Sequence, residues 1–319
     1  MVTLDDIKSA QSRLSGIATR TPLIRYHHGT DKRQLWFKPE SLQPIGSFKL
    51  RGAYNKIASL ADDERSRGVI TYSSGNHAQG VAYAARAMGV KSVIVMPSNA
   101  PRIKVDSTAA HGAEIVFVGP GSHERRAKAE ELAAEHGYVV VPPYNDEKII
   151  AGAATVGVEI SEDLPDVEVV LVPIGGGGLI SGTATALKLL NPKVKVIGVE
   201  PELAADAQAS IRSGHIVEYS AEQVSRTLAD GLRTQSVGPI NFEHIRTYVD
   251  NIVTVTEAEI REAMRQIVLN AKLVAEPSGA VTLAAFLFHA TELPPATRHV
   301  CVISGGNVDP VLLAQVIAT

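Results

Sequence analysis

Gln43 to Ile57 reads QPIGSFKLRGAYNKI and frames one lysine, Lys49, between a Gly-Ser-Phe turn and an Arg-Gly-Ala helix start. A surface lysine needs no such framing. A lysine held in one place and partly dried can lose its proton near neutral pH and act as a nucleophile or a base. A second stretch, VVLVPIGGGGLISGTATALKLL, is a strand, four glycines (Gly175, Gly176, Gly177 and Gly178) and a helix start. Successive glycines let several N–H groups turn toward one point, and the helix start adds partial positive charge there, which suits a phosphate. Four in a row cost much chain entropy, so a plain tight turn would use fewer.

The glycine run matches neither common nucleotide motif. Gly182 is followed by Thr183 with no lysine, which excludes a Walker A loop, and the G-x-G-x-x-G spacing ends on Ile180 or Ser181. Two further loops lie at strand ends. TYSSGNHAQGVAYAA places Ser73, Ser74, Gly75, Asn76 and His77 between a strand and a helix, and VISGGNVD places Ser304, Gly305, Gly306 and Asn307 after another strand. In open parallel sheets that end of a strand is where ligands bind, and hydroxyls, an amide and helix-start N–H groups suit a carboxylate or a cofactor oxygen. Three such loops and a framed lysine converge on one pocket. The ten histidines show no H-x-x-x-H or H-E-x-x-H spacing, and no serine sits in a G-x-S-x-G elbow, which excludes a zinc hydrolase and an α/β-hydrolase. VGVEPELAADAQAS offers Glu200, Asp206 and a carbonyl at Ala204. Oxygen ligands suit Mg²⁺ or Ca²⁺, but on spacing alone a solvated acidic loop is the plainer reading.

The elements that must hold these residues alternate. β-rich runs such as GVITYSS, SVIVMP, EIVFVGP, VEVVLVPI, KVIGVEP and HVCVISGGN are separated by helical patterns, which predicts βαβ units and parallel sheets. The rhythm from about Gly68 to Tyr144 predicts a small lobe of its own. Thr256 with Glu259 three residues later predicts a capped, amphipathic packing helix. The 319 residues suffice for two domains, and 45% hydrophobic with 20% charged residues is normal for a globular protein with a core. A net charge of −3, with no basic cluster alternating with aromatics, excludes a nucleic-acid footprint. The single cysteine, Cys301, lies in an apolar run and is expected to be a buried core thiol. No signal peptide and no membrane span is expected, so a cytoplasmic location is.

Gly46-Ser47-Phe48-Lys49-Leu50-Arg51-Gly52-Ala53, Ser73 to His77, Gly175 to Gly178 and Ser304 to Asn307 together resemble the signature set of fold-type II pyridoxal-phosphate enzymes, nearest the serine/threonine dehydratase and serine racemase group. The resemblance runs over nearly the whole chain in the right order. It implies an α/β fold related to the tryptophan synthase beta subunit, with two open parallel-sheet domains: a large cofactor domain of residues 1–46 and 146–319 and a small substrate-closing domain of residues 47–145. Lys49 would anchor pyridoxal 5′-phosphate covalently and take the α-proton of the substrate. Phe48 and Asn76 would flank the ring, Asn76 bonding its 3-oxygen. Gly175 to Gly178 and Leu179 would hold the phosphate, and Ser304 would face the pyridine nitrogen. Ser73, Ser74, Gly75, Asn76 and His77 would grip the substrate carboxylate, with Arg125 close by. Glu200, Ala204 and Asp206 match a divalent-cation site of the racemase branch, taking Mg²⁺, Ca²⁺ or Mn²⁺.

The implied reaction is conversion of L-threonine, L-serine or a related 3-hydroxy amino acid to a 2-keto acid and ammonia; serine racemization and 3-hydroxyaspartate dehydration are the alternatives. Ser74 stands where ordinary threonine dehydratases carry alanine, so its hydroxyl could serve the face of Cα opposite Lys49. Tyr144 follows the threonine dehydratases instead, and Ala153 and Ala154 depart from both branches. The resemblance further implies a homodimer acting on a small amino acid, and the end of the chain at Thr319 leads us to expect no isoleucine-responsive regulatory domain. A cofactor-binding sensor that kept the fold is disfavoured by the intact Lys49.

Overall fold

The computed structural model describes residues 1–30, 32–73, 75–100, 102–119 and 122–318. The α/β expectation holds. Ten strands occur among the described residues: β1 Ile24–Thr30, β2 Arg33–Pro39, β3 Val69–Tyr72, β4 Ser92–Pro97, β5 Glu114–Val118, β6 Val139–Val140, β7 Val169–Pro173, β8 Lys195–Pro201, β9 Asn251–Val255 and β10 Arg298–Ile303. They form two sheets. The larger has the order β1-β2-β10-β7-β8-β9 and is parallel except for the β1–β2 pair. The smaller, β5-β4-β3-β6, is parallel throughout.

The inner strands read as unbroken apolar runs because helices cover both faces. Every residue of β4 and of β7 is buried. Valine and isoleucine dominate them, as a pleated, doubly covered surface favours. The core of the larger sheet divides into two clusters, one on each face: Leu171, Ile197 and Ile303 face one side, and Val170, Val172 and Val302 the other. Cys301 is fully buried on the first face, as expected, and burial pushes its thiol pKa up.

Strand order decides where a ligand can enter. In the larger sheet the chain runs from β7 to β8 on one side, while β10 returns on the other. In the smaller sheet β3 leads to β4 on one side and β6 lies on the other. At each such switch point the loops leaving adjacent carboxyl ends diverge and open a crevice. The loops after β3, β6, β7 and β10 are therefore the four that should meet.

The helix Lys49–Ala58 is anchored from below by a buried ionic cluster. The Arg51 guanidinium donates to both oxygens of Glu40, at 2.7 and 2.8 Å, and to both oxygens of Glu159, at 2.6 and 2.9 Å. Lys38 donates to Glu159 and to the Thr21 carbonyl. Lys38 and Glu40 are fully buried and Arg51 is 1% exposed. Two cations face two carboxylates, and every charge is hydrogen-bonded, the condition under which buried ions are tolerated. Thr256 caps the helix Glu257–Gln266 with Glu259 in the reciprocal arrangement that the sequence predicts.

Candidate active site

The four loops do meet. A cavity of about 260 Å³ is lined by Phe48, Lys49, Ser73, Gly75, Asn76, His77, Arg125, Tyr144, Gly175 to Leu179, Glu276 and Ser304, among others. Of the cofactor- and substrate-contacting residues expected from the sequence, all but Ser74 line it; Ser74 lies outside the described residues.

Lys49 is the first residue of its helix. The turn before it is stitched to the end of β10: Phe48 N–H donates to the Ser304 carbonyl (3.0 Å), Gly306 N–H to the Gly46 carbonyl (2.9 Å), and Asn307 Nδ2 to the Ile45 carbonyl (2.9 Å). Gly46 has φ +71°, and a Cβ there would sit 2.4 Å from Asn307 Oδ1, so both backbone shape and space require glycine. Lys49 Nζ donates to the Pro143 carbonyl at 2.7 Å and lies 5.1 Å from the centre of the Phe48 ring. No carboxylate among the described residues pairs with it. Burial alone lowers its pKa to about 8, which makes a free amine available near neutrality.

The glycine loop has the build of an anion cradle. The N–H groups of Gly175 to Leu179 donate no hydrogen bond to any described residue, and four of these five residues are buried. Gly178 opens a helix of 13 residues, so the partial positive charge of a helix start falls on the same point. Gly177 has φ +96°, and a Cβ on Gly176 would stand 2.2 Å from the Tyr144 ring. Buried donors without acceptors are costly unless an anion satisfies them. The loop therefore fits a phosphate, and with Lys49 across the cavity the residues fit pyridoxal phosphate.

Asn76 starts the helix Asn76–Ala87, and this helix start lines the cavity with Ser73 and Gly75. His77 turns away: its Nε2 meets the Val141 carbonyl at 2.9 Å, and burial, helped by Lys49, lowers its pKa to about 3. The ring is neutral and donates to that carbonyl, so it ties the residue that follows β6 to the helix. Ser304 Oγ donates to the Ser278 carbonyl at 3.4 Å, leaving its lone pairs to the cavity. Arg125 is half-buried, its pKa lowered by burial, and meets no carboxylate among the described residues.

Away from the cavity, Glu200 and Asp206 are both fully buried, with Ala204 1% exposed beside them. Glu200 accepts from the N–H groups of Ala207 (2.9 Å) and Gln208 (2.8 Å). Neither Asp206 oxygen has a well-formed hydrogen bond. Burial pushes the Asp206 carboxyl up to about 7, and burial with Asp206 as neighbour raises Glu200 well above the usual range. Among the described residues no three acidic, histidine or cysteine side chains gather into a metal cluster. Two carboxylates and a main-chain oxygen are donor types that a hard cation takes, and both Asp206 oxygens lack a well-formed hydrogen bond among the described residues.

Two contributors to the cavity carry no distinct signal in the sequence. Glu276 enters the cavity from the start of the helix Pro277–Phe288, and the segment Asp230–Thr234 forms another wall. Thr234 Oγ1 is buried there without a partner among the described residues. The only sequence signals were a glutamate before a proline, which reads as an ordinary helix start, and a short Ala-Asp-Gly turn.

An amine and a phosphate cradle facing each other between two open sheets, parallel but for one edge pair, define a pyridoxal-phosphate enzyme of fold type II. Residues 14–305 match the pyridoxal-phosphate dependent enzyme family, and the chain belongs to it. It is 46% identical to an L-threonine ammonia-lyase of Thermotoga maritima, covering 99% of this chain and 78% of the relative. It is 40% identical to the L-threo-3-hydroxyaspartate ammonia-lyase of Saccharomyces cerevisiae, covering 96% of this chain and 94% of that one. Among solved structures, serine racemase from Dictyostelium discoideum superposes with a TM-score of 0.91 at 37% identity, over 97% of this chain and 99% of the other.

Proposed function

We propose that this enzyme is an ammonia-lyase that converts a 3-hydroxy amino acid, L-threonine or L-serine first, to a 2-keto acid and ammonia. The observation that carries the reading is the desolvated Lys49 amine facing the glycine cradle across one cavity. Relatives named as L-threonine and 3-hydroxyaspartate ammonia-lyases, at 46% and 40% identity, support the choice of reaction.

Pyridoxal phosphate would be held by Lys49 covalently, by Phe48 and Asn76 around its ring, by Gly175 to Leu179 at its phosphate and by Ser304 at its ring nitrogen. When bound, it supplies a conjugated acceptor for the electron pair left at Cα on proton removal. Lys49, with its pKa near 8, is poised to hold that proton as a general base. The helix-start N–H groups at Asn76, with Ser73, bind the substrate carboxylate and orient Cα toward Nζ. A neutral hydroxyl at Ser304 cannot lend the ring nitrogen a full charge, which keeps the electron demand modest and favours loss of the β-hydroxyl. Closure of residues 47–145 over residues 1–46 and 146–319 would exclude water; in support, the smaller sheet draws its strands from residues 69–140 and the larger sheet from outside that range.

A substrate with a second carboxylate is the alternative, favoured by Arg125, which lines the cavity without a carboxylate partner among the described residues. Racemization of serine is the other and depends on the Ser74 hydroxyl. Glu200, Ala204 and Asp206 would hold Mg²⁺ or a similar ion. A cytoplasmic homodimer completes the reading. One buried cysteine suits a reducing compartment, and exposed Leu42, Val274 and Val311 offer apolar surface for a second subunit.

Keto acid release is measured for L-serine, L-threonine and 3-hydroxyaspartate, with chiral analysis of the remaining amino acid. Turnover of at least one to a keto acid is expected; no keto acid from any of them would reject the reading. Ser74→Ala is expected to abolish racemization and spare elimination.

A further inference from the structure

Two carboxylic side chains among the described residues line the cavity, Asp230 and Glu276. Asp230 pairs with Lys104. Glu276 has no cation partner among the described residues; it is 4% exposed and accepts a hydrogen bond from Asn76 Nδ2 at 2.7 Å. A buried acid with no cation in contact, bonded to the Asn76 amide with the Asn307 main-chain N–H close by, calls for a reason.

The local chain delivers it there at some cost. The helix Glu257–Gln266 ends in a π-helical turn, Ile267–Ala271, and Lys272 then adopts φ +58°, the one positive φ at a non-glycine residue among those described. Such irregularities gather at functional sites. Glu276 sits at the position before Pro277 where a side chain usually caps the helix, yet it makes no capping bond and turns into the cavity instead. The opposite wall makes room for it: a Cβ on Gly305 would lie 2.5 Å from Glu276 Oε1.

The contacts of Asn76 show what this achieves. Its Oδ1 accepts from Asn307 Nδ2 at 2.8 Å, and its Nδ2 donates to Glu276. Turning the amide over would set nitrogen against nitrogen at Asn307, whose own amide the Ile45 carbonyl fixes, and would forfeit the acceptor that Glu276 Oε1 offers, so both neighbours favour the same orientation. One N–H of Asn76 is consumed by Glu276, and the second is left to the cavity. Burial, and then Asp230, push the Glu276 carboxyl up to about 8. Near neutral pH it is largely the uncharged acid, which still accepts from Asn76 while adding no negative charge to the site.

We infer that Glu276 is a positioning residue, locking the Asn76 amide so that an N–H and not its oxygen is presented to the anionic ring oxygen of bound pyridoxal phosphate. This rests on the placement of the cofactor in this cavity proposed above.

The test uses cofactor-stripped full-length protein, reading the dissociation constant of pyridoxal phosphate and the visible absorption of the bound cofactor. Glu276→Met, which keeps the length and removes the acceptor, is expected to weaken binding about tenfold to a hundredfold, the range for outer partners that orient a ligand group, and to shift the absorption maximum. Glu276→Gln keeps a neutral acceptor and is expected to stay within about threefold of wild type with its spectrum retained. In the Asn76→Ala background Glu276→Met should add nothing further, because the two act as one unit. If Glu276→Met does not fold, Glu276→Asp withdraws the acceptor by one methylene and should move both readouts in the same direction. Wild-type affinity and spectrum in the variants, or multiplying effects in the double variant, would overturn the inference and leave the cofactor site standing. Wild-type protein that takes up no pyridoxal phosphate would overturn both.

Discussion

Two pairs of buried carboxylates sit in this molecule under opposite electrostatic regimes. Glu40 and Glu159 share Arg51 and Lys38, and the cluster closes on itself. Glu200 and Asp206 are fully buried with no cation among the described residues, and both carboxyls are raised in consequence. The first arrangement needs nothing added and does the work of a joint, pinning the helix that carries Lys49 to β2, to Glu40 and to the helix Glu147–Asp163. The second is complete only with a proton or a metal ion. Burial of acids is thus uninformative by itself; whether the charges sum to zero tells a joint from a site.

Removing one member of the closed cluster should do the greatest damage. Arg51→Met leaves two carboxylates buried without their main partner, and a loss of about 3–5 kcal/mol is expected in urea unfolding. A loss below about 1 kcal/mol would mean that the cluster is not the joint described. At the open pair, a divalent ion should stabilise the folded chain. Mg²⁺ or Ca²⁺ at a hundred times its dissociation constant is expected to add about 2.7 kcal/mol, read as a rise in melting temperature that Asp206→Asn abolishes. A chelator without effect on the loaded protein would remove the distinction between the two pairs.

Proton occupancy sharpens the same contrast. A carboxyl whose folded pKa is raised binds its proton more tightly folded than unfolded. Its contribution is therefore complete below the unfolded value of about 3.9 and is lost as pH rises. For Asp206 that loss runs up through about 7. Metal-free protein should thus weaken between about pH 4 and 7, and the divalent ion should cancel the trend. The smallest effect concerns a single cation dried by its surroundings. Lys49 in cofactor-free protein, competitively labelled with acetic anhydride, should gain reactivity up to about pH 8 and then level off. Ordinary lysines keep gaining toward about 10.4; such a profile at Lys49 would mean that its amine is wet.

Much of this site was legible because strand ends and loop glycines are local signals. The runs GVITYSS, SVIVMP and VEVVLVPI became β3, β4 and β7, and the polar or glycine-bearing loops behind β3 and β7 line the cavity. What escaped was assembled over long distance. Glu276 meets Asn76 across 200 positions, and only the folded chain shows that it faces a cavity. The hairpin of β1 and β2 also went unread: Ile24–Thr30, IRYHHGT, is a polar edge strand with a register shift after Tyr26, so the alternation that would announce it is broken. β6 has two residues, too few for any pattern. The orphaned oxygens of Asp206 are equally invisible in sequence, where Glu200 and Asp206 look like a wet acidic loop.

The close approach of Tyr144 to Gly176 carries a last implication for how such enzymes can diversify. Since the phenol ring occupies the volume into which any side chain at 176 would project, Gly176 is not free to drift while the ring stays. A lineage trading the ring for something smaller would gain both a roomier substrate chamber and latitude in the cradle at one stroke. Substrate range and grip on the cofactor are in that sense inherited together, through a single point of contact.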